Sequence, residues 1–73
     1  MTQSIEQVGL SIKTARLARK LTQSELAAKT GVSVTTLSNW ETGLNAPNLI
    51  PMLKVADALG MSIDEIVGRE VPR

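Results

Sequence analysis

Apolar residues recur at helical spacing along nearly the whole chain, broken by short polar or glycine-containing segments. Val8, Ile12 and Ala15, at i, i+4 and i+7, mark the inner face of a first helix predicted from about Ile5 to Lys20. Arg16 falls beside that stripe, where an isolated charge is costly to bury, so it needs a partner. Lys13, Arg19 and Lys20 can reach solvent. Leu10 and Leu17 lie roughly opposite the inner stripe and form a second apolar strip on the outside. Residues 1–4 are expected to be loosely held, as termini usually are.

The stretch Thr22–Gly43 organises the remaining helices. Thr22 and Glu25 form a capping-box pair ahead of a second helix over about Gln23–Thr30, which Gly31 ends. Ser33 can cap a third helix over about Val34–Thr42, with Leu37 and Trp40 as its buried pair and Gly43 as its stop. After the loop Leu44–Pro47, Asn48 can cap a fourth helix running to about Leu59, with Pro51 tolerated in its first turn. Leu49, Met52, Leu53, Val55, Ala56 and Leu59 give that helix a broad apolar face, and Gly60 stops it. Ser62 and Glu65 repeat the capping-box pattern for a short last helix carrying Ile63, Ile66 and Val67. No segment alternates with period two. The pattern predicts an all-α, compact five-helix bundle in one domain over 1–73, with its core over about 5–67 and a tail over 68–73.

Composition narrows the chemistry. The chain has 73 residues, no Cys and no His, which removes disulfides, thiolate metal sites, the commonest zinc ligand and the usual general base. Trp40 is the only aromatic residue, so stability rests on aliphatic packing. Asp64 and Glu65 are adjacent on a helix and do not face each other, and Ser38 has no base at helical spacing. An enzyme, a cofactor and a metal centre are therefore not expected. Neither a signal-peptide pattern nor an apolar run of ~18 residues is present, so a cytoplasmic protein without a membrane partner is expected. Net charge is +1: residues 1–44 carry five basic and three acidic groups, and residues 45–73 three and four. That skew decides little.

The third helix offers more. With Leu37 and Trp40 facing in, its outward positions are Val34, Thr35, Thr36, Ser38, Asn39 and Thr42, all short and uncharged. Such side chains allow close approach to base edges in a major groove. Asn39 suits adenine, the threonine hydroxyls suit several bases, and the Val34 and Thr35 methyls suit thymine. The N–H groups opening the second helix, with the Gln23 amide, suit a phosphate. An exposed Ser/Thr face is also common in structural helices, so the pattern alone leaves a protein-interaction module open, such as an antitoxin or coactivator-like adaptor.

The run from Val8 to Val67 resembles the Cro/C1-type (XRE-like) helix-turn-helix family of phage repressors and bacterial regulators. The likeness lies in the first-helix Arg16, TQSELA at 22–27, GVS at 31–33, WETG at 40–43 and ALGMSIDEI at 58–66. It implies a lambda-repressor-like domain with the motif at helices two and three. It also implies sequence-specific binding of double-stranded DNA by a transcriptional regulator, a repressor or autoregulator in the nucleoid. Ser33, Val34, Thr35, Thr36, Ser38 and Asn39 would face the DNA and Gln23 would anchor to a phosphate; from this chain's own residues, Ser33, Lys20, Thr42 and Asn45 are further phosphate candidates. Arg16 would pair with Glu41, tying the first helix to the end of the third. A homodimer on a two-fold operator is implied, joined through Met61, Ile63, Val67 and Val71, with Leu10 and Leu17 as a rival surface or a site for a protein partner.

This chain departs from the family pattern in three places. Lys20 stands where many relatives have glycine. Val34 stands where arginine or glutamine is frequent, which shifts readout toward apolar and shape contacts. The 44–48 loop lacks a basic residue, leaving Asn45, Asn48 and backbone N–H groups to serve.

Overall fold

The computed structural model describes residues 4–67, without the side chains of Asp64 and Val67. The elements are α1 (Ile5–Ala18), α2 (Gln23–Thr30), α3 (Val34–Glu41), α4 (Leu49–Leu59) and α5 (Ile63–Val67). The fold is all-α. One core joins them: Val8, Ile12 and Ala15 of α1, Leu26 of α2, Val32 of the turn, Leu37 and Trp40 of α3, Met52, Val55, Ala56 and Leu59 of α4, and Ile66 of α5. α3 packs on α1 and α2, while α4 packs on α2 and α5. No helix among the described residues is long and apolar enough to cross a membrane.

Several boundaries differ from the sequence pattern, each for a local reason. Ser4 is not loose: its hydroxyl accepts the Gln7 N–H at 3.2 Å and its own N–H donates to the Gln7 side chain at 3.0 Å, a full capping box. α1 stops at Ala18 rather than Lys20 because the chain reverses there. The Lys20 N–H donates to the Leu17 carbonyl at 2.9 Å and the Leu21 N–H to the Arg16 carbonyl at 3.1 Å. That is the Schellman pairing, and it places Lys20 at φ +56. α3 likewise ends one residue early, with Thr42 as its C-cap. Asn48 occupies the N-cap position of α4 with extended backbone, but its side chain makes no capping hydrogen bond. Leu49 and Leu53 are exposed, not part of the inner face, because only Met52, Val55, Ala56 and Leu59 turn inward.

Gly9 sets how α1 meets α3. A Cβ built there would run into the Trp40 carbonyl oxygen, with the carbonyl carbon 2.9 Å away. Only glycine lets the backbones cross so closely, and the crossing fixes where α3 sits on the bundle.

Two substitutions should move stability in opposite directions. Gly9→Ala gains helix propensity yet forces the crossing apart, with a net loss of about 1–3 kcal/mol. Lys20→Gly relieves a left-handed backbone and should gain about 0.5–1 kcal/mol once glycine's extra unfolded-state entropy is set against it. Urea unfolding followed by Trp40 fluorescence measures both. A neutral Gly9→Ala would show that the crossing is slack.

Candidate nucleic-acid interface

The unit α2–turn–α3 is clasped by side chains that serve the backbone. Thr22 Oγ1 accepts the Glu25 N–H at 3.0 Å, and the Glu25 carboxylate accepts the Thr22 N–H at 2.9 Å. The hydrogen bonds to Thr22 hold the Glu25 carboxyl below its ordinary value of 4.5. At the far end, the buried Thr30 hydroxyl donates to the Leu26 carbonyl at 2.8 Å and accepts the Val32 N–H at 3.2 Å. Gly31 turns at φ +74, and Val32 plugs the core beneath. Ser33 Oγ then accepts the Thr36 N–H at 3.0 Å and donates to the Thr36 hydroxyl at 2.8 Å, which opens α3.

The other end of α3 is anchored by charge. Arg16 donates from Nε to Glu41 Oε2 at 2.8 Å and from Nη2 to Glu41 Oε1 at 2.9 Å, a bidentate pair. The two side chains are only 8% and 3% exposed. Arg16 Nη1 also donates to the Leu21 carbonyl at 2.7 Å, so one guanidinium ties α1, the α1–α2 turn and α3 together. The hydrogen bonds that Arg16 donates to Glu41 raise its pKa further above its ordinary range, against the opposing effect of burial. Gln23 Nε2 donates to the same Glu41 carboxylate at 3.1 Å. The Gln23 amide is thus partly engaged inside the fold, a role its sequence position does not reveal.

Between these anchors, the outer side of α3 is polar and carries no charge. Val34 and Thr35 are exposed, while Thr36, Ser38 and Asn39 are half-buried. Thr42 is exposed, and its hydroxyl donates to the Ser38 and Asn39 carbonyls of its own helix. The Asn39 carbonyl accepts the N–H groups of Leu44 and Asn45, which fixes the start of the following loop. Lys20 and Asn45 are exposed. Two further lysines, Lys29 and Lys54, carry no signal in the sequence pattern. Lys54 lines a groove with Gly31, Val32, Ser33 and Thr36 at the start of α3, and a second groove with Lys29, Thr30, Asp57 and Ala58. Periodicity has no means of pairing the end of α2 with the middle of α4.

Other expected site residues lie elsewhere. Met61 and Ile63 are half-buried against the core. The Val67 side chain and Val71 fall outside the described residues. Leu10 and Leu17 are 58% and 53% exposed. Among the described residues no cluster of His, Cys, Asp or Glu could hold a metal ion.

Comparison with known proteins places this geometry in a family context. A family model described as helix-turn-helix matches residues 12–66. The cryptic phage CTXphi transcriptional repressor RstR of Vibrio cholerae is 41% identical over 54 residues, covering 74% of this chain and 48% of the relative. The immunity repressor protein of Bacillus phage phi105 is 43% identical over 63 residues, covering 86% and 44%. The chain therefore spans about half the length of these two relatives. An uncharacterized HTH-type transcriptional regulator, y4dJ of Sinorhizobium fredii, is 38% identical over 60 residues, covering 82% of this chain and 78% of the relative. Among solved structures, the restriction-modification controller protein C.AhdI from Aeromonas hydrophila superposes with a TM-score of 0.81 at 27% identity. That match covers 85% of this chain and 94% of the other.

Removing one side of the buried pair should be severe. Glu41→Ala strands the Arg16 guanidinium and is expected to cost ~3–5 kcal/mol, read by thermal or urea unfolding. A cost near that of an ordinary surface change would show that the pair does not anchor α3. The Glu25 cap has its own pH signature. Its folded pKa is depressed, so its contribution is present above the ordinary glutamate range and is lost as pH falls through the lowered value. An NMR titration should place the Glu25 midpoint below 4.5.

Proposed function

The chain belongs to the helix-turn-helix family of Cro/C1 type, and from that premise we propose that it is a transcriptional regulator binding double-stranded DNA sequence-specifically. In this reading α2, the Gly31–Ser33 turn and α3 form the helix-turn-helix of a lambda-repressor-like domain over about residues 5–67. α3 lies in the major groove. Two copies act on a two-fold operator whose half-sites are one helical turn apart, ~34 Å between recognition helices. The repressors among its relatives make repression or autoregulation the favoured mode.

The observation that carries this reading is the outer side of α3, within the segment the family matches. It is anchored at both ends, free of long side chains, and free of charge. Val34, Thr35, Thr36, Ser38 and Asn39 are assigned to base edges. Ser33, Gln23, Lys20, Thr42 and Asn45 are assigned to the phosphate backbone, and Lys54 joins them from its place beside the start of α3, with Lys29 in the adjoining groove. Gln23 keeps a second amide N–H beyond the one it gives Glu41, so it can serve both. With no arginine or lysine on α3, bidentate contact to guanine is absent, and thymine methyls and adenine are the favoured partners.

Selection from a random duplex pool, followed by binding at several salt concentrations, tests the proposal. Wild type should select a two-fold motif. Thr35→Ala and Asn39→Ala should each relax preference at one position per half-site by about 1–3 kcal/mol, leaving the thermal midpoint nearly unmoved. Lys54→Ala should weaken all sequences alike and lower the salt slope by about one per protomer. Variants at Thr35 and Asn39 that both select the wild-type motif unchanged would refute the base-facing assignment.

A further inference from the structure

The first half of α4 is apolar on every side. Leu49, Ile50, Pro51, Met52 and Leu53 run consecutively, yet only Met52 is buried in the core and Pro51 is half-buried. Leu49 and Ile50 are each 66% exposed and Leu53 is 48% exposed. Leu53 lies four residues from Leu49 and three from Ile50, so the three share one surface patch. Leu44, 69% exposed, stands in the loop leading to them. A helix apolar all round belongs in an interior, and the bundle covers only one of its sides.

We propose that this patch, Leu44, Leu49, Ile50 and Leu53, is where a second copy of the chain docks to form the two-fold DNA-binding pair. The pairing itself rests on the reading of the previous subsection. The choice of surface rests on charge and area. From Thr42 to Leu53 the sequence has no ionisable side chain. A two-fold contact sets a patch against its own image, so any charge in it meets its like. The four side chains of the patch carry no charge of their own, and the exposed charges beside it are Lys54, four residues from Ile50 on α4, and Glu6, packed by Gly43.

The rival surfaces fit less well. Leu10 and Leu17 are separated by two turns of α1, and the groove that Leu10 shares with Met61 is otherwise lined by the polar Gln7, Ser11, Thr14 and Glu65. Met61 and Ile63 already spend much of their area on the core. The four exposed side chains at 44–53 supply an apolar centre, roughly half of the ~800 Å² one partner contributes to a standard interface, with loop and helix-start backbone as its rim.

Sedimentation velocity across a concentration series tests the surface, paired with binding to duplexes carrying one or two of the half-sites that wild type selects. In Leu49→Asp/Ile50→Asp both carboxylates fall in the first turn of α4, where negative charge favours the helix, so the fold is retained and circular dichroism checks it. Wild type should dimerise. The double variant should be monomeric and lose the roughly 10²-fold preference that wild type shows for the two-half-site duplex over a single half-site, a ratio in which the repulsion of the added carboxylates for phosphate cancels. Leu44→Asp, outside any helix, should weaken the dimer in the same direction, and Leu10→Asp/Leu17→Asp should leave it intact. A double variant that dimerises like wild type, or a wild type that stays monomeric while selecting single half-sites, would overturn the surface and leave the DNA reading standing. Failure of wild type to select any duplex, with dimerisation lost in the double variant, would uphold the surface and defeat the DNA reading instead.

Discussion

One carboxylate holds the end of α3 in place. Glu41 closes α3, and its two oxygens are occupied by a bidentate Arg16 from α1 and by the Gln23 amide from α2. Arg16 carries the tie onward to the Leu21 carbonyl in the turn between α1 and α2. Three helices thus converge on one nearly solvent-free ion pair. Burying such a pair adds little net stability, because desolvation offsets most of the attraction. What it does is penalise every arrangement in which α3 is displaced, since any shift leaves a charge without its partner in a dry place. Gly9 acts in the same sense from the steric side, by letting the α1 backbone lie against Trp40 with no side chain between.

That rigidity is what the proposed neutral reading surface requires. Short side chains such as Thr35 and Asn39 have little reach, so their usefulness depends on the backbone beneath them being in the right place. The hydroxyls of Thr36 and Thr42 are bonded to Ser33 and to the α3 backbone, which further limits rotation across that side. Positive charge lies off α3, at exposed residues such as Lys20, Lys29 and Lys54. In the proposed reading, attraction to phosphate and discrimination among bases fall to different residues, the division of labour expected of a sequence reader.

Much of the local structure is legible because it is written in short-range chemistry. Thr22 with Glu25 and Ser62 with Glu65 announce their capping boxes, and both pairs of hydrogen bonds are present. Ser4 with Gln7 carries the same signature, and its hydrogen bonds override the looseness expected of a terminus. Lys20 misleads for a different reason. A lysine gives no sign of left-handed backbone, so helical spacing runs two residues past the true end of α1.

The chain alone therefore dictates where the capped helices start, which sides of α1 and α3 are apolar, and that Arg16 needs a partner. These follow from interactions spanning three or four residues, which periodicity and capping record directly. Packing of helix on helix settles the rest: that Gln23 shares Glu41 with Arg16, that Gly9 is the crossing point, that Lys29 and Lys54 flank one groove, and that Leu49 and Leu53 face outward. Each of those depends on which helix lies against which. An apolar residue on α4 is core or surface according to whether α2 and α5 cover it, and that is a property of the assembled bundle rather than of the chain.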